Sequence, residues 1–415
     1  MFPPDFRPEL RWPLDIKQSE QGGRQIYVIA DLLGVAPSPA AIPAPLMPIV
    51  SRFDGAHSIE EIAEEGRSVG LTREFVSELA EQLDRMFFLK TQVTVSKERE
   101  VKREYREGSI REAALAGLVY PSAADELMKA IDTSIALSAA SPIAEDPLAV
   151  ICPHIDYQRG SPTYGALYSA IQNMKRPDVV YLIGTSHQPG QGTFHLTDRS
   201  FETPFGIVPV AAAIVSDIAR KFGEERAFRD EILHRREHSL ELQLPYLARH
   251  FLQSGFPEIV PILVGSFHGH LVKGRSPMED GEVADFIGAL SESIKALRIS
   301  GKRVLFYGGV DLAHVGTHFG DSKRFDAQDL ERIARRDSEL LNCILRGDEQ
   351  ALFEHMAEDC DVRRICGFPS IYVMLRAMKT AGYSMTGRLI EYRQAVDHNT
   401  DCHVTFASAV WFASN

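Results

Sequence analysis

The sequence predicts an α/β protein, in which a large sheet covered by helices follows a small α+β domain. Two observations predict the large domain. From about residue 148 short apolar runs alternate with helical patterns, and several of these helices end at glycine. A third observation, a β-rich segment followed by helical segments before residue 95, predicts the small domain. The 415 residues are enough for both.

The first 95 residues predict a small winged-helix-like unit. Residues 25–30 are β-rich, and five prolines in 37–48 exclude a continuous helix there. Residues 87–94 look extended and predict a final wing.

Two helix starts are marked between these extended parts. Ser58 and Glu61 have the spacing of a capping box, and Thr72 can cap a second helix with apolar residues at helical spacing. Residues 96–108 are highly charged with mixed signs, which is typical of a solvated helical connector.

Parts of this unit resemble the PqqD-like peptide-recognition fold that accompanies radical SAM enzymes, namely Asp54-Gly55, the segment 58–62 and the ending 83–89. The resemblance implies a docking module for a peptide or a partner protein, and a structural cap is the alternative. Residues 51–90 contain five basic and nine acidic side chains, so electrostatics argue against binding duplex DNA.

Residues 109–415 form the predicted large domain. The best strand candidates are 148–152, 178–183, 258–265, 303–310 and 404–412. Helices are predicted at 164–174, 240–252, 280–297, 330–345 and 369–381.

Three of these strands run directly into histidine or carboxylate residues. The first reaches His154, the second reaches His187, and the fourth reaches Asp311 and His314. Ligands of open α/β sheets collect beyond the carboxyl ends of the strands, so these side chains are expected to share one site. A single histidine after a strand is more often structural, but three such strand ends in one domain favour a site.

Cys366 stands just before the predicted helix 369–381. The positive end of a helix dipole lowers the pKa of a thiol and favours the thiolate, which binds metals and attacks electrophiles. Cys152 and Cys343 lie in apolar patterns and are expected to be inert.

Glu237, His238 and Glu241 begin another predicted helix. From the pattern alone two interpretations are open. These residues could support a ligand or act as a general acid or base, or the acidic side chains could simply stabilise a helix N-terminus.

At this point the residues resemble a known family. Residues 109–415 are similar to the Memo family, whose prokaryotic members are called AmmeMemoRadiSam system protein B. The resemblance rests on the ordered segments SIREAALAGLVYP, PHIDYQRGSPTYGALY, IGTSHQP, TPFG, REHSLELQLPYL, IVPILVG, VDLAHVG and ICG.

The resemblance implies a mixed sheet flanked by helices, as in extradiol dioxygenases of the LigB type, which hold non-haem iron. It also implies that His154, His187 and Cys366 are metal ligands. Asp311 and His314 would line the same pocket. The match of the EHSLE segment raises Glu237 and His238 to candidate catalytic residues.

One departure from the family pattern bears on the ligands. The family usually has Ala-Gly-Tyr after its first Pro-His, whereas this chain has Ile155-Asp156-Tyr157. Asp156 could be a further ligand, a partner of His154, or an exposed bystander.

Two imidazoles and a thiolate suit Fe(II), copper or zinc, because soft sulfur disfavours magnesium and calcium. Among these metals the resemblance to the LigB type implies Fe(II), with copper or zinc as alternatives. Three protein ligands leave a position open for chemistry. The resemblance therefore implies a redox metal protein that works with a radical SAM partner. If the protein is an enzyme, it would be a metal-dependent oxidoreductase with an unknown small-molecule or peptide substrate. The alternatives are a non-catalytic interaction module and a metal-independent thiol enzyme using Cys366 and His314.

Composition excludes several other classes. Lys and Arg number 45 against 57 Asp and Glu, and the net charge of −12 argues against nucleic acid and anionic membranes as partners. We expect neither a signal peptide nor a membrane span. Five cysteines without a paired spacing indicate neither a disulfide framework nor a zinc finger, so we expect a reducing, cytoplasmic location.

Overall fold

A computed structural model describes residues 1–413 of the chain and divides it into two compact units, Met1–Gly108 and Ser109–Asn415. The predicted α/β fold class is confirmed. The larger unit contains a large mixed sheet flanked by helices, and the smaller unit contains an antiparallel sheet and helices.

The first unit contains three strands and four α-helices. They are β1 (Leu14–Gln21), β2 (Arg24–Asp31), β3 (Ala40–Pro43), α1 (Met47–Val50), α2 (Ile59–Glu65), α3 (Arg73–Arg85) and α4 (Gln92–Glu107). The strands form one antiparallel sheet in the order β1-β2-β3.

Both predicted helix caps of this unit are present. The Ser58 hydroxyl accepts the backbone N–H of Glu61 while the Glu61 carboxylate accepts the N–H of Ser58, which completes the capping box at α2. Thr72 caps α3 through the N–H of Phe75. Apolar faces of these helices pack into a core that includes Ile62 and Leu79.

The extended wing predicted for 87–94 is wrong. Leu89 forms only an isolated bridge with Leu10, and Phe87 has a positive φ of 63°. Thr91 accepts the N–H of Thr94 and caps α4, so the chain turns into a helix at Gln92. The helix cap therefore outweighs the strand propensity of the β-branched residues around it.

The second unit begins with β4 (Ile110–Arg111), α5 (Ala124–Ala136), β5 (Ala149–Cys152), α6 (Tyr157–Ala170), β6 (Val179–Thr185), β7 (Phe194–Leu196), β8 (Ser200–Thr203), β9 (Gly206–Val208), α7 (Ala212–Phe222), α8 (Glu224–Phe228), α9 (His238–Glu241) and α10 (Leu244–His250). It continues with β10 (Glu258–Val264), α11 (His268–Lys273), α12 (Gly281–Ile299), β11 (Val304–Gly309), β12 (His314–Val315), α13 (Ala327–Leu345), α14 (Glu349–Ala357), α15 (Phe368–Thr380), β13 (Met385–Asp397) and β14 (Cys402–Ala413).

The large sheet has the order β12-β14-β5-β11-β6-β10-β7, and β13 pairs with β14. Its four central strands β5, β11, β6 and β10 are parallel, whereas β7 and β14 join them antiparallel. The parallel strands are almost entirely buried and apolar, as strands covered on both faces must be. Strands β4, β8 and β9 form a separate small sheet.

Two predicted helices have different bounds for local reasons. The segment 240–252, predicted as one helix, contains the end of α9 and all of α10. Leu242 and Gln243 separate the two helices. Helix α6 starts at Tyr157, earlier than predicted, because the Asp156 carboxylate caps it by accepting the N–H of Arg159.

Within residues 1–413, none of the helices combines the length and the apolar composition that crossing a membrane requires.

Candidate metal centre

The candidate site lies at the carboxyl ends of three neighbouring parallel strands. His154 follows β5 after Pro153, His187 follows β6 after Ser186, and Asp311 follows β11 after Val310. Since β11 lies between β5 and β6 and all three are parallel, their ends deliver these side chains to one edge of the sheet.

His154 is buried, and its orientation is fixed by the backbone. Its Nδ1 lies 2.9 Å from the carbonyl oxygen of Gly309, so Nδ1–H donates there and Nε2 keeps its lone pair. Nε2 lies 3.1 Å from Sγ of Cys366. Burial, together with the nearby His187, holds the pKa of His154 well below its usual value, which keeps the imidazole neutral and fit to bind a cation.

His187 is held by the carboxylate of Glu237. Its backbone N–H and its Nδ1 each lie 2.9 Å from an oxygen of that carboxylate. Glu237 is 4% exposed and caps α9 by accepting the N–H of Ser239. Burial alone would raise the pKa of Glu237, but the imidazoles of His187 and His238 hold it well below its usual value. A buried carboxylate therefore fixes the Nδ1 side of His187 and leaves Nε2 for a ligand.

Cys366 stands in the loop before α15 and not within the helix. Its carbonyl accepts the hydroxyl of Thr185 at 2.9 Å, and its Sγ lies 3.8 Å from the carbonyl of Asp311. The expectation of a lowered thiol pKa is wrong for the metal-free protein. Burial, with the charge of Asp311, raises the pKa of Cys366 well above its usual value, because desolvation outweighs a dipole whose first helical residue is Phe368.

Asp311 shapes the backbone of the pocket. One of its carboxylate oxygens accepts the backbone N–H groups of His154 at 2.9 Å and Ile155 at 3.3 Å. Burial raises the pKa of Asp311 to about 7, which places its titration near neutral pH. The residue thus reaches the pocket as predicted, and its visible contacts order the segment that carries His154.

His238 contacts the rings of both pocket histidines, and His314 is close enough to His187 and His238 for their charges to lower its pKa. The ring of His238 stacks on that of His187 with centroids 4.3 Å apart and lies 5.2 Å from that of His154. His314 directs Nδ1 at the carbonyls of Leu312, 3.1 Å away, and Arg364, 3.2 Å away, so its Nε2 is the acceptor. Burial lowers the pKa of His314 to about 4, which keeps it neutral at pH 7.

The donor atoms are close enough for one metal ion. The donors of His154, His187 and Cys366 all lie within 4.8 Å of one another, and those of His187, Glu237 and His238 form a second such group. With metal bonds of about 2.0–2.3 Å, donors on one ion lie roughly 3–4 Å apart. The His154 to Cys366 separation falls in that range, and the neutral, oriented imidazoles suit the task.

Access to Cys366 and His187 is through an adjoining cavity of about 240 Å³. Its walls include the rings of Phe267 and Phe368, and Arg364 reaches its lining. Apolar walls beside a polar cluster are typical of a small-molecule site.

Asp156 is not grouped with the donors. Besides capping α6, its carboxylate pairs with Arg159 at 2.6 Å, so the extra acidic residue beside His154 serves the helix.

Sequence reasoning missed the arginine that holds the Glu237 turn. Arg111 is fully buried and donates to the carbonyls of His234 at 2.9 Å and Glu237 at 3.0 Å and to the carboxylate of Glu241. The other oxygen of Glu241 accepts the hydroxyl of Tyr120 at 2.7 Å. Glu237 and Glu241 therefore face different partners, and no local pattern connects Arg111 with residues so distant in sequence.

Comparison with known proteins gives a consistent family assignment. A family model described as Memo-like protein matches residues 111–410. A MEMO1 family protein of Aquifex aeolicus is 26% identical over 391 residues, which cover 93% of this chain and 96% of that protein. One from Methanocaldococcus jannaschii is 28% identical over 316 residues, covering 72% of this chain and 98% of that protein.

Among solved structures, an uncharacterised protein of Escherichia coli K12 is similar with a TM-score of 0.37 and 12% identity, covering 65% of this chain and all of that chain.

Proposed function

The chain belongs to the Memo-like protein family, and from this premise we propose that it is a metal-binding redox protein whose ion is held by His154, His187 and Cys366. The observation that carries the proposal is the convergence of these donors within 4.8 Å, each imidazole having its other ring nitrogen engaged. Fe(II) is the metal we favour, and copper and zinc are the alternatives.

A metal bound there would supply Lewis-acid and one-electron chemistry to a substrate in the adjoining cavity. The chain's own residues do the rest. Glu237 keeps the Nδ1 proton of His187 in place, and Gly309 does the same for His154. His314 is the proposed acid–base residue. Two carbonyls hold its Nδ1 proton and leave Nε2 as an acceptor, and its lowered pKa makes the imidazolium, once formed, a strong proton donor.

Three finer assignments belong to the same proposal. The likeness to LigB-type dioxygenases supports an oxidoreductase activity. The name AmmeMemoRadiSam system protein B supports a radical SAM protein as the partner. A thiol ligand that must stay reduced supports a cytoplasmic location, and the five cysteines are free.

Metal uptake tests the proposal. Anaerobically purified protein is incubated separately with Fe(II), Cu(I) and Zn(II), desalted, and analysed by plasma mass spectrometry. We expect about one equivalent of Fe(II) or Cu(I) in the wild type and a loss of most of it in Cys366→Ala. Cys343→Ala is the matched control, since Cys343 lies in α13. Less than about a tenth of an equivalent in the wild type, or equal uptake by Cys366→Ala, would contradict the proposal.

A second candidate function is that of a non-catalytic interaction module, and the first unit offers one observation in its favour. A cavity of about 730 Å³ there is lined mainly by apolar residues, of which Val69 and Phe75 are exposed. The occupant we propose is an apolar segment of the radical SAM partner, in keeping with the PqqD-like resemblance. Calorimetric titration of that partner tests it. Phe75→Ser should abolish binding without changing metal content, and unchanged binding would reject this function.

A further inference from the structure

The loop that leads into Cys366 has an unusual backbone. Three of its non-glycine residues have left-handed conformations, Cys360 with φ 52°, Asp361 with φ 57° and Arg364 with φ 55°. Each costs about 1 kcal/mol or more relative to the ordinary helical region. Such costs persist only where surrounding contacts fix the conformation, so those contacts indicate what the loop is for.

Arg364 makes contacts in two directions from this conformation. Its guanidinium grips the carboxylate of Asp321 through Nη1 at 3.2 Å and Nη2 at 2.9 Å, and Nη1 also donates to the carbonyl of His314 at 3.1 Å. Its own carbonyl accepts Nδ1–H of His314 at 3.2 Å. Arg364 therefore holds both the backbone and the ring of His314.

The same two segments are joined at neighbouring positions. The carbonyl of Arg363 accepts the backbone N–H of His314 at 2.8 Å, and the N–H of Gly367 donates to the carbonyl of Asp311 at 3.1 Å. A side chain on Gly367 would collide with that carbonyl, since its Cβ would lie 2.5 Å away. The loop bearing Cys366 is thus fitted closely against the segment bearing Asp311 and His314.

A glycine at position 364 would adopt a positive φ without strain. Because the arginine does not, contacts of its side chain must offset the free-energy cost of this backbone conformation. Although Arg364 also lines the cavity, both terminal nitrogens of its guanidinium already have partners. An arginine that pairs with a carboxylate through two nitrogens fixes the geometry of the pair better than a lysine does. These contacts suit fixing the loop more than binding a ligand.

We propose that Arg364 is a positioning residue, whose clamp on Asp321 and His314 sets the place of the Cys366 thiol in the pocket. The inference rests on the proposed function for the role of Cys366 as a ligand. It concerns the metal-free protein, however, and can be tested there.

The test measures alkylation of Cys366 by iodoacetamide in metal-free protein with chelator present, quantified by peptide mass spectrometry. The reference protein carries Cys360→Gly, which relieves the same kind of backbone strain in the same loop and removes its exposed thiol. Adding Arg364→Gly keeps the left-handed backbone and removes the clamp. We expect Cys366 to react roughly tenfold faster than in the reference, because the loop opens locally.

Two outcomes would overturn the proposal. One is a Cys366 rate within about twofold of the reference. The other is an equal acceleration at buried Cys152, which would show general loosening of the fold and not a local role. Arg364→Lys should give an intermediate rate, since one ammonium group can replace Nη1 but not the second contact that Nη2 makes with Asp321.

Two further measurements complete the design. If Arg364→Gly does not fold, Asp321→Asn replaces it, because the clamp then loses its charged partner while Gly316 keeps an acceptor for its N–H. The same acceleration is expected, and its absence would overturn the proposal. Fe(II) uptake by the wild type is measured in parallel, so a failure of the proposed metal function is seen separately from a failure of the clamp.

Discussion

Two clusters of histidines in the second unit differ in how their ring nitrogens are used. In the pocket cluster, His154, His187 and Cys366, each imidazole gives one nitrogen to a fixed acceptor and turns the other toward the pocket. The acceptors are the carbonyl of Gly309 and the carboxylate of Glu237.

The β7 cluster consists of His195, His234 and Asp230, and fewer of its ring nitrogens have hydrogen-bond partners. Among residues 1–413, Nδ1 and Nε2 of His195 and Nδ1 of His234 have no hydrogen-bond partner. Asp230 lies 3.8 Å from Nδ1 of His195, and its carboxylate accepts the N–H groups of Gln191 at 2.7 Å and Gly192 at 3.1 Å. Within the described residues, the donor atoms of the β7 cluster do not form one of the groups that lie close enough together to hold a metal ion.

Buried histidines therefore do not by themselves bring potential metal donors together. What distinguishes the pocket cluster is an acceptor that fixes each ring and a thiol that faces one of them. The β7 cluster also has two histidines, but it has a carboxylate in place of the thiol, and the loop that follows His187 engages that carboxylate. Variants in and around the two clusters test whether the clusters have different roles.

The largest expected effect comes from Arg111, which donates to the carbonyl of His234 in one cluster and to that of Glu237 beside the other. Arg111→Ala should lower the free energy of unfolding by about 3–5 kcal/mol, because it leaves Glu241 buried without its cation. Urea denaturation measures the loss. Arg335→Ala removes an exposed pair with Glu331 and should cost less than about 0.5 kcal/mol. Similar losses in both variants would contradict the assignment of a buried supporting role.

The next effect concerns Glu237. Glu237→Gln should weaken Fe(II) binding by about 10–100-fold, because a neutral amide holds the Nδ1 proton of His187 less firmly. Competition with a chelator measures the affinity. Asp230→Asn makes the same chemical change in the β7 cluster and should leave the affinity within about twofold. An equal loss of Fe(II) affinity in both variants would contradict the proposed difference between the two clusters.

The third effect concerns the pH dependence of stability that the β7 cluster contributes. Burial lowers the pKa of His195 to about 4 and that of His234 to about 3, from 6.5. Between pH 6.5 and 4 the unfolded chain therefore binds more protons than the folded one, so stability falls as the pH falls through this window. His195→Gln should make the slope of unfolding free energy against pH shallower by about 1 kcal/mol per pH unit. An unchanged slope would show that His195 does not stay neutral in the folded protein.

The smallest effect concerns Asp156, which lies beside the pocket cluster without joining it. Asp156→Ala should cost about 1 kcal/mol of stability through the lost cap of α6 and leave metal content unchanged. Thermal denaturation and metal analysis of the same preparation measure both quantities. Loss of the metal would instead make Asp156 a ligand.

Sequence alone predicted the central strands and the residues at their ends, because buried parallel strands are apolar runs and the polar residue that ends each run is easy to see. It placed His154, His187 and Asp311 at one edge, and the structure brings them together there. Strand β13 was not predicted, because its residues are mostly half-buried or exposed and lack a clear alternation.

What the sequence could not predict depends on partners distant along the chain. The acceptor for His154 is a backbone carbonyl, which leaves no mark in a side-chain pattern. Nothing in the segment SIREAALAGLVYP marks Arg111 as buried, yet its side chain is fully buried. The sequence also predicts the wrong direction for the pKa of Cys366, because the helix dipole is a local feature and the burial that opposes it is not.

Anomalous diffraction at the iron edge, from a crystal soaked anaerobically with Fe(II), tests the proposed metal centre directly. We expect one peak among Nε2 of His154, Nε2 of His187 and Sγ of Cys366, and its loss in Cys366→Ala. A peak held instead by His187, Glu237 and His238, the other group of donors in the pocket, would contradict it, as would the absence of any peak in the wild type.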